Sequence, residues 1–146
     1  MERLTEVYNE LLRMNVLVKS GSYHFKGDCD SILVSNGTRF GIFLDVDKIR
    51  TIVQEFEAVS HEYAHIRTNT TYSLNASPLE RRRAEVRASR EQIRMVVPLS
   101  ELKAALASGI TTTWDLADHF GVSEKTIRHA FEYYTGPCGI TFSLPQ

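Results

Sequence analysis

The chain reads as an α+β protein, and three observations predict it. An amphipathic helical pattern opens the sequence, a run of short apolar segments broken by turn residues follows, and three-and-four apolar spacing returns beyond residue 47. A length of 146 residues with 42% hydrophobic content suits one domain, or a small domain with a helical appendage. The expected division is a core over 1–98 and a helical module over 99–146 packed on it. Seventeen basic against 18 acidic residues leave a formal charge of −1. The chain as a whole therefore carries no field that draws it to nucleic acid or to an anionic membrane.

Leu4, Val7, Tyr8, Leu11 and Leu12 fall on one helical face, with Glu2, Arg3, Glu6 and Glu10 left for solvent. After Asn15 the period changes. Apolar segments at 16–18, 23–25, 31–34 and 40–46, separated by Gly, Asp, Asn and Ser, predict strands in a small antiparallel sheet, with Asn36-Gly37 as its clearest turn. From Asp47, the expected N-cap, Ile49, Ile52, Val53, Phe56, Ser60, Tyr63 and Ala64 trace a helical stripe. A polar loop over 68–77 follows, and Ser77-Pro78-Leu79-Glu80 has the capping-box pattern with proline at the first helical position. That helix should run to about Val97, because Pro98 disfavours helical geometry before it. Pro98 and Ser100 open a shorter helix that Gly109 stops. In the tail, a helix from Thr111 ends at Gly121, and Ser123 caps another, the helix-turn-helix sequence pattern. Past the Thr135-Gly136-Pro137 break, 140–144 reads as a last strand.

Chemistry concentrates in His61-Glu62-Tyr63-Ala64-His65. Histidines four apart on a helix point the same way and can share one metal ion, with a carboxylate between them, which is a zinc-peptidase signature. On a helical wheel both lie away from the apolar stripe and so face a cleft. Catalytic zinc takes three protein ligands and leaves a position to water, so a third ligand must come from elsewhere. Glu80 is engaged as a cap and Glu91 turns to another face, which leaves Glu85, beside Ala88, Ser89 and Gln92. Zn2+ on His61, His65 and Glu85 would activate water, Glu62 would act as general base and then general acid, and Tyr72 is a candidate oxyanion donor. The bland alternative is a wet helix face that carries two histidines by chance. Cys29 and Cys138 are too few and too distant for a scaffold or a metal pair, and read as free thiols. The strand at 39–44 is expected to present an edge to which an extended peptide adds.

With those residues placed, the chain resembles the ImmA/IrrE family of small metallopeptidases, particularly its short phage-type members. The resemblance runs from Gly41-Ile42-Phe43-Leu44 through His61–His65 and Glu85-Val86-Arg87-Ala88-Ser89 to Met95-Val96-Val97-Pro98, then Trp114-Asp115-Leu116-Ala117 and Phe120-Gly121-Val122-Ser123. It implies a zincin-like core, zinc on His61, His65 and Glu85, and catalysis by Glu62. It also implies a protein substrate, a helix-turn-helix repressor encoded nearby, cleaved in a bacterial or phage-infected cytoplasm. Two departures from the family pattern stand out: Tyr63-Ala64 where Leu-Gly is common, and Ser89 where asparagine is.

The runner-up is a DNA-binding or repressor-binding regulator with a structural or inactive metal site. Between Thr111 and Thr135, two basic residues face four acidic ones, which weighs against direct DNA contact, since a recognition helix must offset phosphate charge. The arginine-rich stretch Arg81–Arg94 could serve as a nucleic-acid patch, and reads at least as readily as a solvated helix face or a docking surface for an acidic partner. No apolar run approaches the ~20 residues that span a bilayer, and the N-terminus does not read as a secretory signal, so cytoplasmic residence is the expectation.

Overall fold

Three strands are threaded between the first two helices, and their order decides where the site lies. The computed structural model describes residues 1–143 and shows an α+β arrangement of six helices and a three-stranded mixed sheet among them. The chain divides into two compact units, Met1–Glu91 and Gln92–Gln146.

In the first unit, α1 (Glu2–Arg13) buries Leu4 and Leu11. β1 (Leu17–Gly21), β2 (Ser31–Ser35) and β3 (Phe40–Asp45) lie in the order β1-β3-β2. β2 and β3 form the expected hairpin, with Gly37 at φ 99° and the Asn36 side chain accepting the Arg39 N–H at 2.9 Å. β1 pairs parallel with β3, Leu17 opposite Gly41, so the sheet is mixed rather than antiparallel. The reason is topological. β1 ends beside Asp45 and β2 begins beside Leu44, so 22–30 steps over one end of β3 and leaves the middle place for it. No long crossover is needed, since that step spans only two strand spacings, about 10 Å.

The predicted strand at 23–25 is part of this step. His24 turns the chain at φ 54°, Tyr23 stacks on Phe25 at 5.3 Å between centroids, and the Phe25 N–H donates to the buried Asp45 carboxylate at 3.2 Å. The Lys48 ammonium donates to the carbonyls of Phe25, Gly27 and Cys29, the last two at 2.7 and 2.9 Å. A cation thus takes the place of a strand ladder in satisfying this backbone.

α2 (Ile52–Thr68) begins at Thr51 rather than Asp47. Thr51 Oγ1 accepts the Gln54 N–H at 3.1 Å, and Gln54 Oε1 accepts the Thr51 N–H at 3.2 Å, a closed capping box. Asp47 instead donates its N–H to Asp45 Oδ1. The buried stripe starts at Phe56 and takes in Val59, Ser60, Tyr63 and Ala64, whereas Ile52, included in the expected stripe, is exposed. Tyr63 and Ala64 are both buried, with the Arg67 guanidinium 5.6 Å from the Tyr63 ring. α3 (Pro78–Val96) starts at the predicted box, where Ser77 and Glu80 exchange two hydrogen bonds of 3.1 Å.

The second unit holds the end of α3 with α4 (Leu99–Ala107), α5 (Thr113–Phe120) and α6 (Glu124–Thr135). Its buried residues include Val97, Leu102, Leu106, Leu116, Phe120 and Ile127. Thr112 caps α5, Gly121 closes it at φ 70°, and Ser123 caps α6. The helix, glycine turn and second helix expected there are present. The expected strand at 140–144 is not found over 140–143, where Ile140 folds back to donate its N–H to the Tyr134 carbonyl at 2.8 Å; Leu144 lies outside the described residues.

Candidate metal centre

α2 carries His61 and His65 one turn apart, and α3 supplies Glu85 from its own second turn. His61 Nε2 lies 3.0 Å from Glu85 Oε2, and His65 Nε2 lies 3.2 Å from Glu85 Oε1. Ligand atoms at ~2.05 Å from a tetrahedral zinc are about 3.3 Å apart, so these separations suit one small ion. Among the described residues, this trio forms a group able to hold a metal, its donor atoms all within 4.8 Å of one another.

The protonation of His65 follows from its neighbours. Thr68 Oγ1 donates to the Ala64 carbonyl at 2.8 Å, and a carbonyl can only accept. The Thr68 proton being spent there, the 2.7 Å contact between the two hydroxyls makes Thr70 the donor to Thr68. Thr70 Oγ1 then accepts from His65 Nδ1 at 3.0 Å, and the Thr70 carbonyl accepts from the same nitrogen at 3.3 Å. The proton therefore sits on Nδ1, and the Nε2 lone pair faces Glu85 Oε1. Two electron pairs that face each other at 3.2 Å require a cation between them, a second proton or a metal.

Glu62 is buried on α2, and Ser31 of β2 donates its hydroxyl to Glu62 Oε2 at 3.2 Å. Burial pushes its carboxyl above the ordinary value, with the Glu85 charge adding to the effect and the His61 and His65 rings and Ser31 opposing it. With a proton on each facing nitrogen, the hydrogen bonds from His61 and then His65 hold the Glu85 carboxyl well below the usual carboxylate range. Tyr72 donates its hydroxyl to Glu85 Oε1 at 2.9 Å, and burial with that contact pushes the phenol up to about 12. It is thereby placed to orient the carboxylate.

His61, Glu62, His65, Tyr72 and Glu85 line one cleft of about 810 Å3, so the structure brings together every residue that the sequence singled out for chemistry. Two contributors had escaped that reading, Ser31 and Thr70. The spacing Thr68-x-Thr70 beyond a helical histidine was the available signal for the second; Ser31 comes from a distant strand and had none. Cys29 also lines the cleft, its thiol donating to the Ser31 carbonyl at 3.1 Å and pushed up by burial. It is free and exposed, as is Cys138.

The strand that borders the cleft is β2, not β3. The edge expected at 39–44 does not exist, since β3 is paired on both sides. The bonds Asp45 N–H to Asp30 and Asn36 N–H to Arg39 fix the alternation: residues 30, 32, 34 and 36 pair with β3, and 31, 33 and 35 turn their backbone groups outward. Compared with protein-family models, curated proteins and solved structures, the chain matches none.

Proposed function

We propose that the chain is a zinc-dependent endopeptidase of the ImmA/IrrE kind, acting on a protein substrate of the helix-turn-helix repressor class. The observation that carries the zinc reading is the convergence of two imidazole nitrogens and one carboxylate, with the His65 lone pair fixed toward Glu85 by the Thr70 and Thr68 hydroxyls. Three candidate ligands lining a cleft fit the pattern of a catalytic site, whereas structural zinc sites close with four. The protein-cleaving reading adds the family resemblance and the outward-facing backbone of β2.

Zinc held there would polarise a substrate carbonyl and lower the pKa of a bound water. Glu62, adjacent to a ligand but held away by Ser31, would take a proton from the water as its oxygen bonds to the carbonyl carbon, and would deliver that proton to the departing amine nitrogen as the peptide C–N bond breaks. Tyr72 keeps Glu85 in its ligating orientation. An extended peptide pairs with Leu33 at the outer edge of β2, where the N–H and carbonyl of that residue face away from β3.

The test is zinc content and peptide hydrolysis of the purified protein beside Glu85→Ala and Glu62→Gln. Wild type is expected to hold about one zinc per chain, the first variant to lose it, and the second to keep it while losing hydrolysis by at least about a hundredfold. Normal zinc binding by Glu85→Ala would overturn the ligand set. Undiminished hydrolysis by Glu62→Gln would overturn its role.

A further inference from the structure

The permanent cation of the cleft has no part in the chemistry above. Among the described residues that line it, the acids are Asp30, Glu62 and Glu85, and Arg81 is the single permanent cation. Arg81 lies in the first turns of α3, one helical turn before Glu85. Its position is held from two directions. A guanidinium nitrogen donates to the Leu74 carbonyl at 2.6 Å, and its Cζ stands 5.9 Å from the centre of the Tyr72 ring, whose hydroxyl is bonded to Glu85. Both partners are neutral, so the charge of Arg81 is not cancelled by them.

A guanidinium carries five N–H donors in a rigid fork, and the Leu74 contact engages one edge of it. What remains matches a carboxylate, which accepts two parallel N–H bonds. Two of the three cleft carboxylates have other work: Glu62 is held by Ser31, and Glu85 by His61, His65 and Tyr72. An anchored arginine is also better suited to recognition than a mobile one, because less side-chain freedom is lost when the ligand binds.

We infer that Arg81 is a specificity-determining residue that binds a carboxylate of the substrate, so that the cleft selects peptides with an acidic group at one fixed distance from the scissile bond. The inference rests on the peptidase reading. The carboxylate has two possible sources, an Asp or Glu side chain or the free C-terminus of a peptide, and both present the same chemistry to the guanidinium.

The experiment is cleavage-site profiling by mass spectrometry. Zinc-loaded wild type, Arg81→Gln and Arg81→Glu proteins digest a proteome-derived peptide mixture, with zinc content measured for each. Wild-type cuts are expected to show Asp or Glu enriched at one position, or to fall at a constant distance from the C-terminus and vanish on C-terminal amidation. Arg81→Gln should flatten the preference and slow cleavage of acid-bearing peptides roughly tenfold or more, and Arg81→Glu should reverse it toward Lys and Arg. All three should hold equal zinc. A second readout avoids turnover: Glu62→Gln protein should bind a preferred peptide about tenfold more tightly than its Asp→Asn counterpart, a difference that Arg81→Gln added to it removes. Should Arg81→Glu protein fail to fold, the glutamine variant carries the comparison. Identical cleavage profiles for wild type and the Arg81 variants would overturn the inference and leave the peptidase reading intact. A zinc-loaded wild type that cuts nothing overturns both.

Discussion

Replacing Thr70 with valine removes the hydroxyl that accepts the His65 Nδ1 proton while keeping the size and branching of a buried side chain. Two contacts go, the 3.0 Å bond from His65 and the 2.7 Å bond to Thr68. The Thr70 carbonyl still accepts from Nδ1 at 3.3 Å, so the tautomer is weakened rather than abolished. Changes in the outer partner of a ligating histidine cost about 10–100-fold in metal affinity, and the retained carbonyl puts this case near tenfold, about 1.4 kcal/mol. Thr68 keeps the Ala64 carbonyl as its acceptor, so the loss in folding stability should be only about 1 kcal/mol. The assay is competition for zinc against a chromophoric chelator at one pH, with thermal unfolding of the metal-free proteins run beside it. A folded Thr70→Val protein that binds zinc as tightly as wild type would refute the chain of hydrogen bonds from which the lone pair was assigned.

Two further outcomes are expected. Leu33→Pro removes an N–H that faces away from β3, so the sheet and the zinc content should survive while hydrolysis of extended peptides falls about tenfold or more; unchanged hydrolysis would reject strand pairing at this edge. Asp45 provides a pH dependence. Burial opposes its charge, yet the N–H groups of Asp47 and Phe25 and the Lys48 ammonium outweigh it and hold the carboxyl below its ordinary value. A depressed folded-state pKa stabilises fully above the unfolded-state value, and that contribution is lost as pH falls through the folded one. The Tm of wild type should therefore exceed that of Asp45→Asn at neutral pH, and the gap should narrow on acidification below about pH 4; a constant gap would contradict the assignment.

Local signals were the readable ones. The Ser77 and Glu80 box, the Gly121 and Ser123 turn and the histidine spacing each act within one or two helical turns, so the residues themselves state the geometry. Glu85 was reached by excluding carboxylates already engaged or misdirected, again a helical-face argument. Pairing order is different, because apolar alternation says which segments extend and not which lie side by side. Residues 23–25 look like a strand by composition, and only the distant Lys48 and Asp45 give their backbone other partners. The same nonlocality hid β2 as the border of the cleft and Ser31 as the partner of Glu62. At the start of α2, Asp47 and Thr51 are both acceptable caps by type, and Gln54 decides for Thr51.

The ending of α2 matters beyond the helix itself. Asn69 adopts left-handed geometry at φ 52°, ψ 46°, which lets the Thr70 N–H close on the His65 carbonyl at 3.0 Å while its hydroxyl meets the same residue's ring. One threonine therefore gauges both the main chain and the imidazole of His65. A β-branched residue at 69, poorly tolerant of positive φ, would shift that gauge and loosen an ion held on His65 while leaving His61, His65, Glu85 and Glu62 themselves unchanged. A metal held by this trio would then be lost through a position that a comparison of histidines and carboxylates alone would score as neutral.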